Sequence, residues 1–285
     1  MDFLGSDLAS ECGVKEGEGI HVQQAQAGGC RVVRVRVGTK EAAARIGKPQ
    51  GRYVTLEFGN VCALEQREEE RVCCAIAVEL REMARRLCPG HVAGDLCILV
   101  VGLGNAEMTA DALGAQTARA LCVTRHLSGQ ERAFLPTGGA CRICAISPGV
   151  PGQTGIESAE LVRGAVWSVK PDLVIAVDAL AARSPARLAA TVQLCDSGIQ
   201  PGSGVGRERR ALTKETLGVP VMALGVPTVI RCDTLIADAL GKQAHGERFW
   251  ADGSGDLFVC PGEIDLVAAR AARVLASAIE KAFSL

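Results

Sequence analysis

Three short apolar runs constrain the fold of this 285-residue chain more than any other feature. They cover residues 96–101, 173–177 and 221–224, and each leads into a turn that contains Gly, Asp, Asn or Pro. Helical stretches separate or follow them, near residues 155–167 and 230–240. Strands that are apolar on both faces and alternate with helices are typical of a sheet covered on both sides. The sequence therefore predicts a three-layer α/β/α fold with a largely parallel or mixed central sheet.

The two ends of the chain have other patterns. Alternation of Val with Arg over residues 33–37 predicts a half-buried strand, and residues 53–56 predict another, so we expect a β-rich N-terminal portion. Apolar residues at helical spacing over 72–87 predict a long helix that stops before Pro89. A last helix is expected to begin at Pro261.

Composition excludes several classes of function. The 31 Lys and Arg residues against 32 Asp and Glu give a net charge of -1, without the basic excess of a sequence-blind nucleic-acid binder. Aromatic residues make up 3%, too few for a surface that stacks bases. The chain shows no apolar run long enough for a bilayer and no signal peptide. We expect a cytoplasmic protein with neither a membrane nor a nucleic acid as partner.

Thirteen cysteines with an odd count and scattered placement do not resemble a disulfide framework. Many stand beside Val, Ile, Leu or Ala, as Cys97 and Cys122 do, and are expected to be buried free thiols. Cys141 and Cys144 have the spacing of a redox or zinc pair, but no second pair matches them. Strand-like alternation explains that segment equally well.

Two acidic turns follow the first two apolar runs. Asp111-Ala112-Leu113 comes after one run, and Asp178-Ala179-Leu180 comes directly after the next. Because active sites of open α/β sheets gather at the carboxyl ends of the strands, we expect both acids at one crevice.

Two close carboxylates raise the pKa of one of them, so that the ionised partner takes a proton from water while the protonated one polarises a carbonyl. That is the chemistry of aspartic-type peptide hydrolysis. Asp is also a preferred helix N-cap, and a capping role for Asp111 and Asp178 stays open at this point.

A dinucleotide site is a weaker alternative for the first turn. Gly102-Leu103-Gly104 begins a G-x-G motif, but Glu107 stands where the third glycine belongs. Roughly 20 residues further on, where an acid would bind the ribose, the chain has Val123-Thr124-Arg125-His126.

Several long motifs carry a resemblance to a known family. They include SPGVPGQTGIE (147–157), GIQPGSGVG (198–206), GRYVTLE (51–57), VVGLGN (100–105), VTRHL (123–127), KPDLVIAVDALAAR (170–183) and GVPTV (225–229). With them, nearly the whole chain resembles the germination proteases of spore-forming Firmicutes, endopeptidases that degrade small acid-soluble spore proteins.

The resemblance implies a fold akin to the hydrogenase-maturation endopeptidases, a homotetramer in the forespore or spore core, and an aspartic-type mechanism without cofactor or metal. The family's two essential aspartates carry over onto Asp111 and Asp178. We expect one peptidase domain over residues 1–285. The family's zymogen processing would fall at Asp7-Leu8, which makes residues 1–7 a very short prosegment.

The chain departs from the family pattern at three positions. Where the family has TPDALGP, this chain has Ala110 and Ala115 in place of the two prolines. These changes should loosen the turn around the acid without removing the acid. Where the family has GSGVGN, this chain ends the motif with Arg207, which puts a cation where a neutral amide is expected.

Weaker candidates surround the pair. His126 follows a predicted strand and is expected near the crevice or as a structural histidine, and Arg183 is expected to pair with one aspartate or to cover a helix face. The supporting or substrate-binding candidates are Asn105, His126, Arg183, Gln153, Glu157 and Ser203.

Two other functions stay open from the sequence. One is a metal-dependent maturation-type endopeptidase, against which the count of four histidines argues. The other is a catalytically inactive or nucleotide-binding homologue, for which the changes at Ala110, Ala115 and Arg207 leave room.

Overall fold

Within the part of the chain that the structure describes, nine strands hydrogen-bond into one mixed sheet. The structure, a computed structural model, describes residues 6–91, 95–135, 141–202, 209–240 and 257–284. Its strands are β1 (Ile20–Ala27), β2 (Cys30–Val37), β3 (Gly51–Glu57), β4 (Cys97–Gly102), β5 (Arg142–Ile146), β6 (Leu173–Ala182), β7 (Thr191–Cys195), β8 (Val221–Arg231) and β9 (Phe258–Val259).

The sheet has a parallel half and an antiparallel half. Its order is β1-β2-β3-β7-β8-β6-β4-β5, with β9 paired to the outer end of β8. β5, β4, β6 and β8 run parallel to their neighbours within that group. β1, β2, β3 and β7 are joined by antiparallel pairings, and β7 joins β8 in the same way. The predicted central sheet is confirmed and is of the mixed kind, and the predicted β-rich N-terminal portion is confirmed as β1, β2 and β3.

Helices cover both faces of the sheet. They are α1 (Lys40–Ile46), α2 (Gln66–Leu87), α3 (Leu113–Ala120), α4 (Gly129–Ala133), α5 (Pro151–Thr154), α6 (Ser158–Val169), α7 (Lys214–Leu217), α8 (Cys232–Leu240) and α9 (Ile264–Phe283). On β4, Ile98 and Val100 pack into the core under α2, α3 and α9. Leu99 and Val101 pack on the opposite face against α6. This alternation is the side-chain period of a strand buried on both faces, and it gives the predicted three layers.

The predicted long helices are confirmed, with shifted starts. α2 begins at Gln66 rather than near residue 72 and ends at Leu87, before Pro89. α9 begins at Ile264, a few residues after Pro261. The helix predicted near 155–167 is α6, which begins at Ser158, because Gly155, with a positive φ of 70°, ends the short α5 just before it.

The prediction that Asp178 lies in a turn after a strand is wrong. β6 continues through Ala182, because Asp178 to Ala182 keep pairing with β8, which itself runs on to Arg231. Asp178 therefore projects from within a strand and caps no helix. Asp111 ends a 3-10 turn (Thr109–Asp111), and Ala112 is the N-cap of α3, so Asp111 is not that cap either.

The cysteines are free thiols in the structure. Cys97 is buried as expected, whereas Cys122 is exposed, contrary to the expectation. Burial raises the pKa of the Cys141 thiol to about 12 and that of Cys144 to about 11, which keeps both thiols protonated at neutral pH. Within the described ranges, no group of three His, Cys, Asp or Glu side chains is placed to hold a metal ion.

Among the described helices, none combines the length and apolar character needed to cross a bilayer.

Candidate active site

One cavity of about 620 Å³ opens on the face of the sheet that carries α1 and α6. Its walls include Lys48, directly after α1, and Ser158, at the start of α6. Its floor includes Asp178 of β6 and Gly225 of β8. The cavity thus lies where the sheet is left uncovered between two helices, beside the end of β4 and over the middle of β6 and β8.

Asp111 enters this cavity from the turn that follows β4. Gly104 has a φ of +94°, and a Cβ there would lie 2.1 Å from the Asp111 carbonyl oxygen and 3.0 Å from its Oδ1. Only glycine gives both the conformation and the space for the loop to close on the aspartate. The Asn105 backbone N–H donates to Asp111 Oδ2 at 2.7 Å, which fixes the carboxylate.

The same geometry explains the incomplete dinucleotide motif. A Cβ on Gly102 would lie 2.1 Å from the Gly114 carbonyl oxygen, so this glycine serves close packing of α3 on β4. The N–H of Leu103 donates to Val177 O at 2.8 Å, and that of Asn105 is taken by Asp111. A phosphate-binding loop would keep such donors for its ligand. Here the aspartate carboxylate occupies the turn.

Thr228 holds the turn that lacks the family's prolines. Its hydroxyl, fully buried on β8, donates to the Ala110 carbonyl oxygen at 2.7 Å. Ala115 lies buried in α3. A side-chain hydrogen bond from the neighbouring strand thus fixes the residue before Asp111.

Asp178 is the more deeply buried of the two acids. Its side chain is buried, and its Oδ1 accepts the N–H of Ala179 at 2.9 Å. Burial raises the pKa of Asp178 well above its usual range, and the negative charges of Asp111 and Asp7 raise it further.

The pKa of Asp111 is raised less than that of Asp178. Burial raises the pKa of Asp111, but the Asn105 N–H and the positive charge of Arg209 oppose that effect. Arg209 lines the cavity and also lowers the pKa of Asp178. Of the two acids, Asp178 therefore holds its proton more firmly than Asp111 does.

The N-terminal segment reaches the same cavity. The Asp7 N–H donates to Ala181 O at 2.8 Å, and its Oδ2 accepts the Ala181 N–H at 2.8 Å. Leu8 is fully buried beside Leu180 and Ala182. The Asp7-Leu8 junction thus lies along the outer end of β6, within electrostatic reach of Asp178.

The supporting candidates are placed unequally. Gln153 Nε2 donates to Asn105 Oδ1 at 2.8 Å, so these two residues brace the loop whose backbone binds Asp111. Glu157 precedes α6, and its Oε2 is buried without a hydrogen-bond partner. None of the three is among the described residues that line the cavity.

Other candidates lie away from the pair or are not described. His126 is exposed, and the Arg183 backbone N–H donates to Glu11 Oε2 at 2.7 Å. Neither is among the cavity-lining residues of the described ranges. Ser203 and Arg207 fall outside the described residues.

Sequence reasoning missed Gln193, Thr228 and Arg209. Gln193 stands in the strand TVQLC (191–195), where a buried amide between apolar residues was the available signal. Thr228 lies in the GVPTV motif, but its contact with the turn before Asp111 joins residues 118 positions apart.

Residues 6–244 match the family model described as germination protease. The germination protease of Caldanaerobacter subterraneus is 43% identical over 242 residues, which cover 83% of this chain and 72% of that protein. The Bacillus subtilis protein is 42% identical over 226 residues, or 79% of this chain and 60% of its own length. The Clostridium acetobutylicum protein is 33% identical over 316 residues, covering 98% of this chain and 94% of that protein.

Among solved structures, a NiFe hydrogenase maturation protease of Thermococcus kodakarensis matches 70% of this chain and 98% of its own. The TM-score is 0.36 and the sequence identity is 20%.

Proposed function

This chain belongs to the germination protease family, and we propose that it is an endopeptidase that begins the degradation of small acid-soluble spore proteins during germination. We further propose that Asp111 and Asp178 form its acid–base pair, without a metal or cofactor. The observation that carries this proposal is the pair itself, two carboxyls facing one cavity with their pKa values raised unequally.

The proposed reaction uses one water and the proton of Asp178. Asp111, as the carboxylate, takes a proton from the water while the water oxygen attacks the peptide carbonyl carbon. Asp178 gives its proton to the carbonyl oxygen, which forms a neutral tetrahedral diol. Asp111 then gives its proton to the leaving nitrogen as the C–N bond breaks, and Asp178 takes one back from the diol. Both carboxyls return to their first protonation states.

The N-terminal segment supports a further part of the proposal. The Asp7-Leu8 bond is the expected processing junction, and Asp7 shares the cavity with the acid pair. We propose that the enzyme cuts its own chain there, which releases the segment from the outer end of β6. By the same resemblance we expect a homotetramer in the forespore and spore core.

A cleavage assay tests the assignment. Purified full-length chain is incubated with a small acid-soluble spore protein, with and without EDTA, beside Asp111→Asn and Asp178→Asn. Cleavage that EDTA does not change and that both substitutions abolish is the expected result.

Asp196→Asn provides the matched control. Asp196 is partly buried, burial raises its pKa, and its Oδ1 accepts the Arg52 backbone N–H at 2.6 Å, but it does not line the described part of the cavity. This variant should cleave like the wild type. Retained cleavage by either site variant, or inhibition by EDTA, would overturn the proposed roles.

A further inference from the structure

Gln193 shares a row of the sheet with the catalytic candidate Asp178. Both residues pair in register with Gly225, from opposite sides of β8. In-register partners project to the same face, and two strand spacings separate Asp178 from Gln193 by about 10 Å. Gly225 stands between them without a side chain, since a Cβ there would lie 2.5 Å from the Asp178 carbonyl oxygen, and Asp178, Gln193 and Gly225 all line the cavity.

The Gln193 amide binds the main chain of the N-terminal segment at two points. Its Nε2 donates to the Asp7 carbonyl oxygen at 2.8 Å. Its Oε1 accepts the Ala9 N–H at 2.7 Å. The Asp7 carbonyl belongs to the Asp7-Leu8 peptide bond. The Gln193 side chain therefore binds the carbonyl oxygen of that bond and the N–H of Ala9, the second residue after it.

These contacts use only main-chain atoms, which every peptide offers. Gln193 is 7% exposed, and a buried amide without partners carries a desolvation cost. A cut at Asp7-Leu8 releases Asp7 and takes the partner of Nε2 away, and Oε1 loses its partner when the new N-terminus, Leu8 and Ala9, moves off β7. An extended peptide in the same place restores them.

We propose that Gln193 positions the main chain of the substrate. Its Nε2 donates to the carbonyl oxygen of the bond to be cut, and its Oε1 accepts the N–H of the second residue after that bond. This inference rests on the proposed peptidase function and extends it. The carbonyl oxygen gains electron density as water attacks, so the donor bond strengthens toward the transition state.

Two variants separate the two contacts. Gln193→Glu keeps the acceptor and loses the donor, whereas Gln193→Met keeps the approximate volume and loses both. Removing a donor of this kind lowers kcat by about 100-fold, so both variants should show that loss on a small acid-soluble spore protein. KM should rise in the Met variant and hold in the Glu variant.

Thr191→Val is the matched control. Thr191 lies two residues earlier on the same face of β7, is buried, and its hydroxyl has no hydrogen-bond partner. This variant should keep the wild-type kcat. Melting temperatures, and the fraction of each chain cut between Asp7 and Leu8, are recorded alongside.

A measurement on the wild-type enzyme does not depend on how the variants fold. A peptide substrate with an ester in place of the N–H of the second residue after the cut bond should lose about fivefold in kcat/KM, the effect of one hydrogen bond. Equal rates for ester and amide would overturn the role of the Oε1 acceptor.

The outcomes keep the two claims apart. Wild-type kcat in both Gln193 variants, with Asp178→Asn inactive, overturns this inference and leaves the peptidase function standing. A wild-type chain that cuts neither the spore protein nor its own Asp7-Leu8 bond overturns both.

Discussion

Replacing Asp178 by Asn is expected to make the folded chain harder to unfold at neutral pH, although it abolishes cleavage. In the unfolded chain an aspartate titrates near pH ~3.9. In the folded chain burial, with Asp111 and Asp7 nearby, raises the pKa of Asp178 well above that value. Between the two pKa values the folded state therefore holds the proton more firmly than the unfolded state.

This difference in pKa makes the stability of the wild type fall as the pH rises. The contribution of Asp178 to stability is fully present below the unfolded pKa and is lost as the pH rises through the folded pKa. The free energy of unfolding of the wild type falls by at most about 1.4 kcal/mol per pH unit in that window. Asn has no proton to lose, so the gain from Asp178→Asn should grow with pH at up to this slope.

Urea unfolding at successive pH values from mildly acidic to neutral measures the gain. Asp233→Asn is the control, because Asp233 pairs with Arg231 at 2.7 Å, which lowers the Asp233 pKa. Above the unfolded pKa that carboxyl is ionised in both states, so its replacement should cost a constant amount over the same range. A difference between wild type and Asp178→Asn that does not change with pH, or shrinks as the pH rises, would refute the reasoning.

Three further changes act on the same site. Gly104→Ala places a Cβ 2.1 Å from the Asp111 carbonyl oxygen at a φ of +94°. Urea unfolding should show that the free energy of unfolding falls by at least about 2 kcal/mol, and the cleavage rate should fall sharply. Wild-type stability and activity in this variant would contradict the role of Gly104. Thr228→Val removes the hydrogen bond that holds the turn before Asp111, and it should cost about 1 kcal/mol and lower kcat, whereas an unchanged kcat would show that the turn needs no anchor. The cleavage rate should rise with pH as Asp111 ionises and fall as Asp178 loses its proton. Arg209→Met removes a charge that lowers the pKa of both, so the whole profile should move to higher pH, and a shift to lower pH would contradict the assignment.

Much of the fold was predictable because its buried strands are apolar on both faces. The runs at 96–101 and 173–177 became β4 and β6, and their order in the chain placed Asp111 and Asp178 at neighbouring strands. The end of β6 was not predictable, because Ala179 to Ala182 suit a helix or a strand equally by pattern, and only the pairing with β8 decides between them.

The rest of the site depends on contacts between distant parts of the chain. Gln193 forms hydrogen bonds with residues 7 and 9, and Thr228 forms one with residue 110. These partners lie more than 100 residues apart in the sequence, so no local hydrophobic pattern could predict the contacts. His126 followed a run of predicted strand character, yet it lies in an exposed turn, since Thr124 and Arg125 both donate their N–H groups to Ile143 and turn the chain there. Local pattern identified the acids, whereas tertiary contacts determine which residues position them.

The most direct test of the acid pair is the cleavage rate of the double variant Asp111→Asn/Asp178→Asn beside each single variant. Residues that act as one unit on one water lose their function together, so the double variant should be no slower than the slower single variant. Losses that add in free energy, which would make the double variant slower than either single variant, would show that the two carboxyls do not work as a pair.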